Sequence, residues 1–277
     1  MSSLVSAVLP AYNRPEQTWE TVEKLQACEP PPDEIIVYLD GGVDMPLPEG
    51  VKVLREREHL GPGGGRNLLL KAAKNDLVAS FDDDSWPIDE NYFSRIKSVA
   101  TEYPSAALFA AEIHEKNKDA PQFRHDSACE VVDFVGCGCV YRKSALEGLR
   151  GYLPLQFAYG CEESDLSLQL FAAEKVILFH PSLRVFHNTE MSHHSSANVN
   201  AASLGNLALL AWLHYPLRSL VLGMLQVFSR LCFLFKKRRF RGLGRGVWLA
   251  LQLPLQWRSH RSPLSAERFS LFRQCKK

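Results

Sequence analysis

The chain has 277 residues, 46% of them hydrophobic and 23% charged, which excludes a disordered polar tract and leaves room for one large domain or one and a half. Its 32 Lys and Arg nearly balance 31 Asp and Glu, but the charge is unevenly placed. From Gly205 to Lys277 there are fourteen Lys and Arg against one acid, Glu267, so the preceding body is net acidic and the tail is suited to an anionic surface.

The seven cysteines show no C-x-x-C pair, and Cys137-Gly-Cys139 is too tight for a normal zinc clip, so reduced thiols in a cytosolic protein are expected. Leu4 to Pro10 reads as a buried strand, and no signal peptide is expected ahead of it. A helix begins near Pro15, with Trp19, Val22 and Leu25 on its apolar stripe. After Pro30-Pro31-Pro32 come a second strand, Glu34 to Leu39, and a short third, Val51 to Leu54. Gly61-Pro62-Gly63-Gly64-Gly65-Arg66-Asn67 leads into a helix carrying Leu68, Leu69, Ala72 and Ala73, and a fourth strand starts at Leu77. Alternating strands and helices predict an α/β fold with a Rossmann-like, mostly parallel, doubly wound sheet. The loops after strands one, two and four then open on one edge, the usual ligand crevice, with Tyr12 to Arg14, Asp40 and Arg66 around it.

Beyond Trp86, Ile88 to Tyr103 reads as an amphipathic helix with Tyr92, Phe93, Ile96 and Val99 inward. Ala106 to Ile113 and Glu130 to Tyr141 read as strands, the latter including a glycine-rich stretch, Phe134 to Val140, that permits close approach. Arg142 to Leu149 is a short helix, Val176 to Phe179 a strand, and Leu183 to His187 leads to a polar loop with His193 and His194.

Two acidic clusters carry the chemistry. Asp82, Asp83 and Asp84 end the fourth strand. Three adjacent carboxylates repel one another unless a cation or hydrogen-bond donors offset them, so they form either a solvated turn or a site for Mg²⁺ or Mn²⁺. If strand geometry persists, Asp82 and Asp84 point the same way. The second cluster, Glu162, Glu163 and Asp165 after Tyr159-Gly160-Cys161, opens a helical run ending near Glu174. The helix dipole alone favours carboxylates there, while a loop-to-helix junction also holds a general base rigidly.

In the tail, Leu204 to Leu213, Leu217 to Phe235 and Val247 to Trp257 are apolar, and Lys236-Lys237-Arg238-Arg239 stand between the last two. Arg218, Gln226 and Arg230 interrupt the middle run. Helices lying in a membrane interface fit this pattern; core helices with a basic edge are the plainer alternative. Nucleic acid is not expected, because the apolar runs would then have no purpose. The division expected is 1–203 for the body and 204–277 for a basic, membrane-associating helical tail.

Taken together, the residues resemble the family 2 glycosyltransferases of GT-A fold, in particular a rhamnosyltransferase-like branch. The resemblance rests on VLPAYNR at Val8–Arg14, LDGGVD at Leu39–Asp44, LGPGGGRN at Leu60–Asn67, FDDD at Phe81–Asp84, GCGCVYRKSAL at Gly136–Leu146, YGCEESDL at Tyr159–Leu166 and RVFH at Arg184–His187, in that order. It implies inverting transfer of a hexosyl or deoxyhexosyl group from a nucleotide-diphosphate sugar to a glycan or lipid-linked acceptor in cell-envelope polysaccharide synthesis, peripherally at the cytoplasmic side of a membrane. It also implies roles. Ala11, Tyr12 and Arg14 lie near base and ribose; Asp40, Arg66, Asp82 and Asp83 contact the nucleotide sugar. Asp84, Asp82 and His187 hold Mn²⁺ or Mg²⁺, with Asp84 placed first. Glu163 is the base, and Glu162 its reserve or an acceptor contact. The sequence departs from the family pattern at Leu39, where an aspartate is common, in its Glu-Glu pair, and in its glycine-rich loop. The alternatives are a nucleotidyltransferase or metal-dependent phosphohydrolase on the same sheet, which needs neither Glu162-Glu163 nor the tail, and a non-catalytic nucleotide-sugar-binding protein.

Overall fold

The computed structural model describes residues 4–42, 44–116, 118–121, 125–153, 155, 161–189 and 196–276. Tyr159, Gly160, His193 and His194 lie outside them. The chain divides into two compact units, Met1–Gln156 with Gln169–Thr189, and Phe157–Leu168 with Glu190–Lys277.

The first unit is built on one mixed sheet. Its elements run β1 (Val5–Ala11), α1 (Pro15–Gln26), β2 (Glu34–Leu39), β3 (Lys52–Arg55), α2 (Gly61–Ala72), β4 (Leu77–Ser80), β5 (Ser85–Pro87), α3 (Tyr92–Glu102), β6 (Ala106–Glu115), β7 (Cys129–Val131), β8 (Val140–Arg142) and β9 (Val176–His187). The order across the sheet is β3-β2-β1-β4-β8-β6-β9-β5, with β7 beside β9. The β3-β2-β1-β4 half is parallel, so the ends of β1, β2 and β4 do open on a common edge. The other half is mixed: β8 runs antiparallel to β4 and β6, while β9 is parallel to β6. Val5, Ala7, Leu9, Val37, Leu39, Leu77 and Ala79 form the core beneath these ends, with Val22 and Leu25 of α1 and Phe93 and Ile96 of α3.

Local expectations needed five corrections. The helix α2 begins at Gly61, so the glycine run lies inside it instead of leading up to it. Glycine weakens a helix, but here it brings the helix close to the sheet: a Cβ on Gly65 would lie 2.6 Å from the Tyr38 ring. The strand β4 stops at Ser80, and Asp83-Asp84 form a turn before the short strand β5, so strand geometry does not carry through the aspartates. That strand delays α3 to Tyr92, although the predicted apolar face is the buried one. Residues 132–139 form a loop between β7 and β8, in which Gly138 adopts φ +102° with no room for a Cβ against Val185. The strand expected at Val176 to Phe179 runs on through Leu183 to His187 as one strand, β9, with an irregularity opposite Ala110/Glu112.

In the second unit α4 begins, Glu162–Ala172, its last residues belonging to the first. Then come α5 (Ala197–His214), α6 (Leu220–Lys236), α7 (Leu243–Gln256) and α8 (Ala266–Cys275). Small residues set the packing of the three tail helices: a Cβ on Gly205 of α5 or on Gly246 of α7 would collide with the partner helix, and one on Gly223 of α6 with Ala211 of α5. The polar helix α8, not foreseen from the sequence, is capped by Ser265 Oγ, which accepts from Arg268 N–H at 3.2 Å, and buries Phe269 and Phe272. Leu217–Lys236, 20 residues long with a mean hydropathy of 1.5 in its most apolar 18-residue window, is long and apolar enough to cross a membrane by length and composition.

Candidate active site

The acidic turn is built by β4 and closed by its own sequence. Phe81 N–H still bonds to Val8 of β1, at 2.9 Å. Asp82 N–H then donates to Ser85 Oγ at 2.8 Å, and Thr21 Oγ1 of α1 donates to Asp83 O at 2.9 Å. Because β5 pairs with β9, Ser85 lies opposite His187, and Asn188 N–H donates to Asp84 O at 2.8 Å. Register thus brings a histidine, 103 positions later in the chain than Asp84, to the aspartates.

Each outer aspartate divides its oxygens. Asp82 Oδ1 takes Arg66 Nη2 at 2.5 Å, and Asp84 Oδ2 takes Arg14 Nη2 at 2.5 Å. Arg14 Nη1 reaches Asp83 Oδ1 at 3.0 Å. The remaining oxygens converge on one nitrogen: His187 Nε2 is 3.2 Å from Asp84 Oδ1 and 3.9 Å from Asp82 Oδ2. On the other side of the ring Cys137 Sγ lies 3.5 Å from His187 Nδ1, which orients the imidazole. Arg66 is 2% exposed and also donates through Nε to Ser80 Oγ at 3.3 Å.

Burial and pairing split the three acids. Burial pushes Asp83 up to about 7, against the pull of Arg14. Burial also opposes ionisation of Asp84, but hydrogen bonds from His187 and Arg14 outweigh it and hold that carboxyl at about 2. His187 is lowered by burial and raised more by Asp84 and Asp82, so it ends above its ordinary value. The repulsion expected of three adjacent carboxylates is therefore relieved by Arg14 and Arg66, by the pairing of Asp84 with His187, and by the raised value of Asp83.

An imidazole nitrogen within 4 Å of one oxygen from each of two carboxylates offers donor types that suit a divalent cation of the Mg²⁺ or Mn²⁺ class. Asp82, Cys137 and His187 likewise have donor atoms within 4.8 Å of one another. Cys137 contacts Nδ1 while both aspartates face Nε2, so its sulfur steers the ring and leaves the carboxylates as the hard donors on the other side.

Asp40 sits elsewhere and is engaged by protein. Its Oδ1 accepts from Tyr38 OH at 2.9 Å and Leu60 N–H at 2.8 Å; its Oδ2 accepts from Gly61 N–H at 2.9 Å and meets His59 Nδ1 at 2.6 Å. Residue Leu60 at the N-cap of α2 supplies no side-chain cap, so Asp40, from the end of β2, caps that helix from outside. Tyr12, 51% exposed at the end of β1, stacks on His59 with centroids 4.5 Å apart and planes 17° apart; Ala11 beside it is buried. Arg14, placed by resemblance near base and ribose, has its guanidinium on Asp83 and Asp84.

Glu162 and Glu163 occupy the first turn of α4 in the second unit. Glu162 is buried, its Oε2 accepting from Cys161 N–H at 3.1 Å. Asp165, in the same turn and 1% exposed, pairs with His214 Nε2 of α5 at 2.6 Å. Sequence reading missed His59, Thr21, Ser85, Cys137 and the Asp165–His214 pair. Only Ser85, adjacent to the aspartates, and Cys137, in the glycine-rich stretch already singled out, carried a local signal.

Comparison with known proteins follows this geometry. The family described as "Glycosyl transferase family 2" matches residues 6–150. The S. aureus TarS fragment 1–349 in complex with UDP-GlcNAc has a TM-score of 0.63 at 18% identity, over 98% of this chain and 81% of that one. GalNAc-T7 with UDP, GalNAc and Mn²⁺ gives 0.60 at 15% identity, over 78% and 48%. The Pyrobaculum calidifontis mannosyltransferase with GDP-Man and Mn²⁺ gives 0.56 at 12%, over 94% and 84%. The chain spans only 39% of a longer TarS chain. These likenesses define a GT-A-like α/β fold. No curated protein sequence matches the chain.

Proposed function

The chain belongs to glycosyl transferase family 2, and from that premise we propose that it transfers a sugar, with inversion, from a nucleotide-diphosphate donor to a hydroxyl of a glycan or lipid-linked acceptor. The observation that carries this reading is the convergence of Asp82, Asp84 and His187 beside Arg14 and Arg66 at the carboxyl edge of β1, β2 and β4. Proteins of this fold in complex with UDP-GlcNAc, with GDP-Man and Mn²⁺, and with UDP, GalNAc and Mn²⁺ support the donor class.

In this reading Asp84, Asp82 and His187 hold the Mn²⁺ or Mg²⁺, which when bound neutralises charge on the donor diphosphate. Arg66 orients Asp82, and Arg14 orients Asp84 and, with His187, keeps it ionised. The bond from the anomeric carbon to the diphosphate oxygen breaks, and the leaving nucleoside diphosphate takes the electron pair. The acceptor oxygen bonds to that carbon from the opposite face while Glu163 takes its proton, with Glu162 as reserve or acceptor contact. Tyr12 and Ala11 line the approach of the base and ribose. The finer assignments, the rhamnosyltransferase-like branch and a cell-envelope role at the cytoplasmic face, rest on motif order and on seven cysteines that form no disulfide among the described residues.

The test is incubation of the full chain with a panel of nucleotide sugars and glycan or polyprenyl-linked acceptors, with and without Mn²⁺, followed by product analysis. Transfer that needs the metal, and falls about 10²–10⁴-fold in Glu163→Gln with donor binding retained, is the expected result. Release of phosphate or nucleotide without any glycosylated product shifts the reading to a phosphohydrolase. Near-normal turnover in a folded Glu163→Gln removes the base assignment.

A further inference from the structure

The helices of the second unit leave a surface that sugar transfer does not use. On α6, Val221, Met224, Leu225, Phe228 and Phe235 are 53–63% exposed. At ~100° per residue they fall within one arc of roughly 100°. The opposite face is packed: Gly223 and Leu234 are buried, and Gly223 has no room for a Cβ against Ala211 of α5. The arginine that interrupts the apolar run, Arg230, is turned to that side, its Nε donating to Ser203 Oγ of α5 at 3.0 Å and its guanidinium 5.0 Å from the Phe233 ring. The same division recurs on α7, where Val247, Trp248, Leu251 and Leu255 are 48–68% exposed while Gly246 and Leu253 are buried.

Lys236 ends α6, Lys237–Arg239 and Arg241 lie in the segment joining it to α7, Arg245 stands in the first turn of α7, and Glu267 is the single acid after Gly205. We propose that α6 and α7 dock side-on onto an anionic lipid bilayer, with both apolar stripes at the boundary of headgroups and acyl chains and the cationic segment on lipid phosphates. Charge decides between occupants. A second copy meeting the same stripes about a two-fold axis would press two such cationic segments together, whereas an anionic bilayer offers negative charge next to hydrocarbon. A tryptophan within an exposed stripe, Trp248, is also the residue type that interfaces favour. Side-on docking fits an α6 whose other face is already bonded to α5 better than insertion across the bilayer. The proposal does not depend on which sugar is moved.

Flotation of the full chain with phosphatidylcholine vesicles, alone or with phosphatidylglycerol at about 30%, tests it. Partition onto the anionic vesicles should exceed that onto neutral ones by about tenfold or more and should fall as salt rises. Leu225→Ser with Phe228→Ser and Leu251→Ser, and separately Lys236→Glu with Lys237→Glu and Arg238→Glu, should each reduce it about tenfold while the circular-dichroism melt stays in place. The single exchange Leu251→Ser, at a position 64% exposed, stands in if the triple variant loses its fold. Equal binding to both vesicles, unaffected variants, a dimer that the serine exchanges dissociate without changing flotation, or attachment that resists high salt and alkaline carbonate, as a spanning α6 would, each overturns the proposal.

Discussion

Replacing Asp40 by asparagine separates two roles that its position allows, capping α2 and touching the nucleotide. The carboxylate is 3% exposed and faces donors on both oxygens. An amide nitrogen in place of Oδ2 donates to a neutral His59 Nδ1 but leaves Gly61 N–H without an acceptor; in place of Oδ1 it orphans Leu60 N–H. Either way one buried backbone donor is lost, worth about 1–3 kcal/mol. Removing a negative charge from the start of a helix adds about 0.3–1 kcal/mol. Together these predict a loss of about 2–3 kcal/mol, which for a unit of this size lowers Tm by roughly 4–12 °C. Asp40→Ala strands both backbone donors and should lose more. Thermal melts followed by far-ultraviolet circular dichroism, with calorimetric titration of UDP- and GDP-sugars, measure both roles. A Tm unchanged within about 2 °C, with donor affinity down tenfold, refutes capping as the main function of this carboxylate.

Three further outcomes follow from the same geometry. Gly65→Ala should destabilise by about 1–3 kcal/mol in a urea titration, the reverse of the ~1 kcal/mol gain alanine brings to an open helix, because its methyl would meet the Tyr38 ring. His214→Leu should lose about 1–3 kcal/mol by removing the 2.6 Å bond to buried Asp165, while Asp165→Asn, which keeps a bond to the ring, should lose less in the same titration. The hydrogen bond from Arg184, with Arg95 adding to it, holds Asp89 below the ordinary carboxylate range, so the stability it contributes is complete above about pH 4–5 and is lost as pH falls through the lowered folded value. The stability gap between the natural chain and Asp89→Asn should therefore close as pH is lowered below about 4 in pH-dependent melts.

Much of the site was legible because its signals are local. An apolar run ending in three aspartates marks the end of a buried strand, and Pro15 marks the start of a helix, since hydrophobic period and proline stereochemistry act within a few residues. The glycine-rich run misled for the same reason: propensity reads it as a loop, yet the close approach to Tyr38 and the cap from Asp40 make it helical. Asp82 and Asp84 were expected to align through the pleat of a continuing strand. They converge through a turn fastened by Ser85, in which the register with β9 decides where each carboxylate points.

The sequence alone determined the family, the alternation of strands and helices, the two acidic clusters and the polarity of the tail, because each is carried by residue type and short spacing. Tertiary structure decided which partners those residues have: that Arg14 and Arg66 each take one oxygen of an aspartate, that Asp40 is enclosed by the start of α2, that Cys137 steers His187, and that Arg230 faces α5 and leaves an uninterrupted apolar stripe. Each of these contacts joins positions at least 16 residues apart in the chain, and no local preference encodes such a pairing; only the packing of whole elements brings the groups to bonding distance.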